Sequence, residues 1–211
     1  MRLRKVKNLE KRLEANQELI ITDTGNHKGM WKFFFGNNQP IHLEIGMGKG
    51  QFITKLALAN PNINYIGVEK EISCLIKAAE KLENRLPNLI FVHFDAQEIL
   101  DLFDDNEISK LYLNFSDPWP KARHAKRRLT YITNLEKYKR ILVSPCDIGM
   151  KTDNIGLFEF SLESFKEAGF TILELSYDLH KDKRDIITTE YEDRFSSMGN
   201  PINYVHINYK K

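Results

Sequence analysis

The chain has 211 residues, of which 42% are hydrophobic and 28% are charged. A chain of this length buries roughly 70% of the surface that its unfolded form exposes, so a full core forms without disulfides or a structural metal. Two cysteines without a C-x-x-C pair, Cys74 and Cys146, argue against a disulfide framework or a zinc site and favour the cytoplasm. There is no stretch of roughly 18 apolar residues and no apolar segment after the basic N-terminus, so we expect neither a membrane span nor secretion.

The formal net charge of +2 conceals an uneven distribution of charge along the chain. Residues 1–12 carry a net charge of +5 and residues 119–140 carry +7, which leaves −10 for the other 177 residues. An acidic body with two basic segments is expected to bind a polyanion at a defined place. We expect residues 1–30 to form a basic arm that is flexible without its polyanion, and residues 31–211 to form one domain.

Short apolar runs alternate with amphipathic stretches along the chain. The predicted strands, in order, are 41–45, 65–68, 89–94, 111–115, 148–151, 171–177 and 204–209. The predicted helices between them are 51–59, 71–85, 97–103, 131–142 and 157–168. This alternation predicts an α/β fold with a mostly parallel seven-stranded sheet and helices on both faces. The last strand has no crossover helix before it, so we expect it to be antiparallel.

The loop after the first predicted strand contains three alternating glycines, Gly46, Gly48 and Gly50. Glycines let the backbone turn sharply and let a ligand lie against it. Neither the phosphate-binding P-loop pattern nor the dinucleotide pattern is met, because Gly50 follows Lys49 and Gln51 stands where the last dinucleotide glycine would be. A strand-to-helix turn without a ligand is the alternative.

Acidic residues lie at or near the ends of the first three predicted strands. Glu69 comes about 20 residues after the glycines, where a carboxylate accepts hydrogen bonds from both ribose hydroxyls. Asp95, followed by Ala96, is placed to accept from an adenine amine, and Glu44 adds negative charge before the glycines. Either Glu69 or Asp95 alone would more often be a helix N-cap. Together they predict an adenosine pocket without a phosphate cradle, which favours S-adenosylmethionine over NAD or ATP.

The fourth predicted strand ends in the sequence Asn114-Phe-Ser-Asp-Pro-Trp-Pro-Lys121. Its two prolines stiffen the loop and remove backbone donors, so the segment presents Asp117 and Trp119 beside the cofactor. A flipped base would stack on Trp119. The alternative is that Trp119 is a core residue under the loop. An ionised carboxylate only accepts hydrogen bonds, and guanine offers N1–H and N2–H₂ as adjacent donors, so Asp117 favours guanine with N7 facing the methyl donor.

Five Lys or Arg residues and one His occur among the eight positions 121–128. Such a run is commonly a solvated basic face, but this one directly follows residues 115–120, the proposed active loop. Phosphate contacts position a nucleic acid relative to the reacting groups. We therefore interpret the run as an RNA contact, with residues 2–12 as a second one.

These residues resemble the bacterial tRNA (guanine-N7-)-methyltransferases of the TrmB type, over nearly the whole chain after about residue 30. The resemblance rests on the glycine loop, Gly67-Val-Glu69, Ser116-Asp-Pro-Trp-Pro-Lys121, His124-Ala-Lys-Arg-Arg-Leu129, Lys151-Thr-Asp-Asn154 and Thr189-Glu-Tyr-Glu192. It implies a class I, Rossmann-like methyltransferase that transfers a methyl group from S-adenosyl-L-methionine to N7 of the variable-loop guanine, position 46, of tRNA. The other product is S-adenosyl-L-homocysteine, and no metal is implied.

The resemblance also implies roles for individual residues. Asp117 is expected at the catalytic centre and, with Glu44, Gly46, Gly48, Gly50, Glu69, Asp95 and Ala96, at the cofactor. Contacts to the substrate are expected from Lys121, Asp153, Thr189, Glu190, Tyr191 and Glu192. Contacts to the RNA are expected from Arg123, His124, Lys126, Arg127 and Arg128. The alternative for Thr189 and Glu192 is a capping box at the start of a helix, which is compatible with a ligand role.

Two rival functions remain at the level of the sequence. One is an amino-methyltransferase acting on adenine N6 or a small amine, because such enzymes also use an Asp-Pro-aromatic loop. The other is a non-catalytic RNA-binding module, which would have no use for an adenosine pocket. A monomer and a homodimer are both compatible with the sequence.

Overall fold

The computed structural model describes residues 7–182 and 186–211. Its sheet has eight strands in the order β1-β4-β3-β2-β5-β6-β8-β7. The strands are β1 Ile20–Ile21, β2 Ile41–Ile45, β3 Asn64–Glu69, β4 Leu89–His93, β5 Ile108–Asn114, β6 Leu142–Thr152, β7 Thr171–Ser176 and β8 Asn203–Tyr209. The prediction of seven strands was wrong by one: β1 has two residues, too few to show a periodic pattern.

Strands β1 to β6 pair in parallel, and β8 lies antiparallel between β6 and β7. The expected antiparallel last strand is therefore confirmed. The central register aligns Ile45 of β2 with Val68 of β3 and with Leu113 of β5. Because parallel strands end at the same edge, this alignment brings the residues after β2, β3, β4 and β5 together.

The α-helices of the described chain connect these strands. They are α1 Leu9–Glu14, α2 Trp31–Phe35, α3 Gln51–Ala59, α4 Ile72–Ala79, α5 Ile99–Leu102, α6 Ile132–Ile141, α7 Ile155–Glu167, α8 Leu179–Asp182 and α9 Glu190–Ser196. The helix predicted over 71–85 ends at Ala79; Asn84, a poor helix former, lies in the part that is not helical, and Pro87 follows just after the predicted end.

Part of the predicted N-terminal arm belongs to the sheet. Ile20 pairs with Phe91, and Leu19 and Ile20 are buried in the core. Arg12, in the first basic segment, forms an ion pair with Glu80, and its Nε lies 2.7 Å from Glu80 Oε1. Residues 1–6 lie outside the described residues, so the phosphate contacts expected from the start of the arm stay a prediction.

The core lies on both faces of the sheet. Apolar side chains of β2, such as Ile41 and Leu43, are fully buried between the helix layers. Trp31 of α2 is fully buried as well, and its indole N–H donates to the Leu102 carbonyl oxygen at 3.0 Å. Within the described residues, no helix combines the length and apolar character needed to cross a bilayer.

Candidate active site

A cleft of about 870 Å³ opens at the carboxyl ends of β2, β3, β4 and β5. This volume is within the range of small-molecule sites, and the place is the one that open α/β sheets use for ligands. The cleft lining includes five of the residues predicted to bind the cofactor, Gly46, Glu69, Asp95, Ala96 and Asp117, together with Trp119 and with Arg127 of the predicted RNA contact.

The glycine loop begins directly after β2. Gly46, Gly48 and Gly50 have φ angles of 76°, 55° and 75°, a backbone conformation that L side chains rarely adopt. Gly46 lines the cleft, and a Cβ there would meet no atom within 4 Å. At Gly50, by contrast, a Cβ would lie 3.0 Å from the Ala78 Cβ, so this glycine is also needed for packing against α4. The loop therefore leaves open space at the cleft and packs tightly behind it.

Glu69 at the end of β3 is held by backbone N–H groups. Its Oε2 accepts from the Gly48 N–H at 3.0 Å and its Oε1 accepts from the Glu71 N–H at 3.0 Å. Each oxygen keeps a second lone pair for a ligand hydroxyl, and burial raises the pKa of this carboxyl. The bond to Gly48 ties the glycine loop to the predicted ribose-binding acid.

Gly67 is a site-supporting residue to which the sequence interpretation assigned no role of its own. A Cβ at Gly67 would lie 2.3 Å from the Met47 Sδ, which packs over this part of β3. The Gly-Val-Glu motif contains this glycine. The need for glycine here comes from a packing contact between β3 and the glycine loop, which only the fold reveals.

Asp95 follows β4 and has the local role that was considered as the alternative. Its Oδ1 accepts from the Gln97 N–H at 3.0 Å and caps the 3₁₀-helix Ala96–Glu98. Asp95 is nevertheless exposed and lines the cleft next to Ala96. Capping therefore fixes its position without closing it to a ligand.

Glu44 lies beneath the cleft rather than in its lining. It is 1% exposed, and its Oε1 accepts from the Asn114 side-chain amide at 2.8 Å. Burial raises the pKa of Glu44 to about 7, although Asn114 and the charge of Lys151 act in the opposite direction. The structure thus does not place this predicted cofactor residue where Glu69 and Asp95 lie.

The loop after β5 presents Asp117 to the cleft, where the side chain is exposed. Phe115 and Trp119, on either side of Asp117, have φ angles of 51° and 41°, which are rare for bulky residues and recur at functional sites. The Arg127 guanidinium lies over the Trp119 ring, 4.8 Å from its centroid. Trp119 is half-buried at the rim, so its interpretation as a core residue was wrong.

Most basic residues of the run 121–128 are exposed, but Arg128 is half-buried and binds the neighbouring loop. Lys121, Arg123, Lys126 and Arg127 are exposed, and His124 is half-buried with its ring against Trp119. The Arg128 guanidinium donates instead to the Pro118 and Trp119 carbonyl oxygens at 3.0 and 3.1 Å, and it packs over the Phe160 ring. Arg128 therefore holds the active loop, and the structure does not support its predicted role in RNA contact.

The segment 189–192 begins α9 and reaches the active loop through Tyr191. The Tyr191 hydroxyl donates to Asp153 Oδ2 at 3.0 Å, and its ring centroid lies 5.0 Å from that of Phe115. The capping box at Thr189 and Glu192 is confirmed, with the Glu192 N–H donating to Thr189 Oγ1 at 2.9 Å. Three segments that are far apart in sequence, at 115–117, 153 and 189–192, thus lie next to one another.

Two glutamates of this segment have partners within the protein. Glu190 forms ion pairs with Lys81 and with Lys49 of the glycine loop, the latter at 2.8 Å. Glu192 is fully buried and pairs with Lys151 at 3.0 Å. The structure therefore does not expose the Glu192 carboxylate to a substrate, contrary to the prediction.

The hydrogen-bonding groups of the cleft fit an adenosine with a cationic substituent. Its carboxylates accept hydrogen bonds and carry negative charge, and the cleft has no P-loop phosphate cradle. The Ser116 Oγ in the lining and the Glu44 Oε2 below it are buried oxygens for which the described residues provide no hydrogen-bond partner. In the described ranges, no three His, Cys, Asp or Glu side chains are grouped to hold a metal ion.

Comparison with known proteins gives one family and several relatives. The family described as "Putative methyltransferase" matches residues 38–205. A tRNA (guanine-N(7)-)-methyltransferase from Lachnoclostridium phytofermentans is 51% identical and covers 96% of this chain and 95% of its own. The protein of that name from Geobacillus sp. is 48% identical, covering 99% and 96%, and that from Streptococcus pyogenes is 46% identical, covering 99% and 100%.

Solved structures with the same fold are more distant in sequence. The 16S rRNA methyltransferase KamB superposes with a TM-score of 0.68 at 13% identity, covering 87% of this chain and 94% of its own. An antibiotic-related methyltransferase superposes with a TM-score of 0.64 at 18% identity, with the same coverage. At these identities the likeness shows the fold alone, a Rossmann-like methyltransferase sheet.

Proposed function

The chain belongs to the bacterial tRNA (guanine-N7-)-methyltransferase family, and from this premise we propose how its cleft methylates guanine N7 of tRNA. It is a methyltransferase that uses S-adenosylmethionine. The proposal concerns the target guanine, at position 46 of the variable loop, and the residues that hold cofactor and base. The observation that carries it is that Asp117 lines the same cleft as Glu69 and Asp95.

S-adenosylmethionine, when bound, supplies a methyl group on a sulfonium. Glu69 would accept hydrogen bonds from the ribose hydroxyls, and Asp95 would accept one from the adenine amine. Both carboxylates are already oriented by backbone N–H groups, so binding needs little rearrangement of them. Gly46 leaves the floor of the cleft open for the rest of the cofactor.

Asp117 would hold the guanine by its N1–H and N2–H₂ donors, which leaves N7 facing the methyl carbon. The N7 lone pair would form the new bond to the methyl carbon as the C–S bond breaks, with the electron pair of the C–S bond left on sulfur. N7 carries no proton, so the transfer needs no general base, and alignment is the main contribution of the protein. The Asp117 carboxylate would also stabilise the positive charge that develops on the purine.

The exposed residues Lys121, Arg123, Lys126 and Arg127 would contact tRNA phosphates at the rim of the cleft. Arg127 and Trp119 lie against each other there, so a base that enters the cleft meets a cationic and aromatic surface. A tRNA substrate implies action in the cytoplasm.

The test is incubation of the protein with labelled S-adenosylmethionine and an unmodified tRNA transcript, followed by borohydride and aniline, which cleave at N7-methylguanosine. Label incorporation with a single cut in the variable loop is expected. The matched control is a transcript in which that guanine is replaced by adenine, which should take up no label. Label without a cut would indicate another atom, as in the adenine N6 alternative, and tRNA binding without label would indicate a non-catalytic module.

A further inference from the structure

Lys151 at the carboxyl end of β6 is a buried cation that the proposed chemistry does not use. Its side chain is 8% exposed, and its ammonium donates to Glu192 Oε1 and Oε2 at 3.2 and 3.0 Å and to the Ile187 carbonyl oxygen at 2.7 Å. Glu192 is fully buried. Ile187 lies in the connection before α9 and Glu192 in the first turn of α9, 36 and 41 residues away from Lys151 in sequence.

A buried ion pair contributes little net stability, because removing two charges from water costs about as much as their attraction returns. A buried ion pair instead fixes the relative position of the two segments that it joins, since a buried charge tolerates few alternative positions of its partner. Here the partner carboxylate also accepts from the Thr189 N–H at 3.3 Å and lies 3.1 Å from the His180 Nε2. The Lys151–Glu192 contact thereby fixes the position of the first turn of α9 relative to the end of β6.

The first turn of α9 carries the side chain that meets the active loop. Tyr191 is next to Glu192 in sequence, donates to Asp153 and packs against Phe115, two residues before Asp117. Glu190, two residues before Glu192, pairs with Lys49 of the glycine loop. A displacement of Glu192 would therefore move the Tyr191 contacts to Asp153 and to the active loop. It would disturb the glycine loop less, because the Lys49–Glu190 ion pair is partly exposed and such pairs contribute little.

We propose that Lys151 is a positioning residue that places the segment Thr188 to Asp193 for tRNA methylation. The proposal rests on the proposed function. Lys151 does not line the cleft and would not touch cofactor or base, so it acts through Glu192 and Tyr191. It also explains why Glu192, expected at the substrate, is instead buried.

The first experiment compares Lys151→Met with Lys110→Met. Lys110 pairs with Asp147 at 3.2 Å, an ion pair between β5 and β6 that is away from the cleft. We expect Lys151→Met to lower kcat/KM for tRNA by about 10²-fold, the effect of a misplacement of about 1 Å, with the Kd for S-adenosylmethionine changed less than about threefold. Lys110→Met should leave both values near those of the wild type. Equal losses in the two variants would overturn the proposal.

A second comparison separates positioning from folding. Lys151→Met alone leaves the buried Glu192 carboxylate without its lysine partner, whereas the double variant Lys151→Met/Glu192→Leu removes both charges and should regain most of the thermal stability. We expect its tRNA methylation to stay low and the amide hydrogens of 188–193 to exchange faster than in the wild type. Recovery of activity together with stability would show that Lys151 acts only on folding.

Lys151→Arg keeps the charge with a longer side chain and should restore part of the activity, which a simple loss of packing would not predict. The hydrogen exchange measurement does not depend on any activity. If the wild type methylates no tRNA, the proposed function fails, and the exchange rates of 188–193 still decide whether Lys151 holds this segment.

Discussion

The cofactor side and the substrate side of the cleft differ in what holds their functional groups. On the cofactor side, Glu69 and Asp95 accept hydrogen bonds from backbone N–H groups within their own loops and from the glycine loop. On the substrate side, Tyr191 is held by Asp153, 38 residues away, and the active loop is held by the Arg128 side chain, 9 and 10 residues away. Backbone N–H groups come with the fold, so the cofactor side should tolerate change in neighbouring side chains better than the substrate side.

The largest expected effect comes from Asp117→Ala, which removes the group that we propose recognises the base and stabilises the cationic product. We expect kcat for tRNA methylation to fall by about 10²- to 10³-fold, measured as label transfer in single-turnover reactions. The affinity for tRNA, measured by filter binding, should stay within a few-fold of the wild type. Equal loss of activity and of affinity would assign Asp117 a structural role.

The cofactor side is tested by Glu69→Gln, which replaces a charged acceptor by an amide with one oxygen. Two weakened hydrogen bonds predict an increase of the Kd for S-adenosylmethionine by about 10-fold or more, measured by calorimetry. The control Glu83→Gln changes an exposed carboxylate after α4 and should leave the Kd unchanged. A Glu69→Gln protein with wild-type cofactor affinity would contradict the ribose assignment.

Gly67→Ala tests the packing below the cofactor side. The added Cβ would lie 2.3 Å from the Met47 Sδ, and we expect a loss of about 1–3 kcal/mol in the free energy of unfolding. Urea unfolding measures this loss. The second substitution Met47→Ala removes the clashing atom, so the Gly67→Ala change should cost less in that background than in the wild type. The same cost in both would show that the clash is relieved elsewhere.

The smallest effects are expected at the basic rim, where Arg127 and Arg128 are neighbours with different environments. Arg127→Gln should weaken tRNA binding a few-fold and reduce the slope of log Kd against log salt by about 1. Arg128→Gln should leave that slope nearly unchanged and lower kcat, because Arg128 holds the Pro118 and Trp119 carbonyl oxygens. Equal slopes for both variants would mean that Arg128 leaves the loop when RNA binds.

Much of the cofactor side was predictable because its signals are local. The alternation of strands and helices predicts the parallel sheet, and the rule that parallel strands end at one edge is enough to bring Gly46, Glu69, Asp95 and Asp117 together. The same reasoning misplaced Glu44, whose side chain points from β2 into a buried layer with Asn114. One residue along a strand separates the buried face from the cleft, and sequence spacing near a strand end does not resolve that difference.

On the substrate side, the sequence by itself determined which residue types are present, namely a basic run, an Asp-Pro-Trp-Pro loop and a capping box at Thr189. Only the tertiary structure decided which of them face outward. It turned Arg128 and Glu192 inward, and it joined Glu192 to Lys151. The physical reason is that these contacts join residues 9 to 41 positions apart through side chains, and no local propensity or periodicity encodes such pairs. They form only when the folded sheet brings the end of β6, the active loop and α9 to one edge.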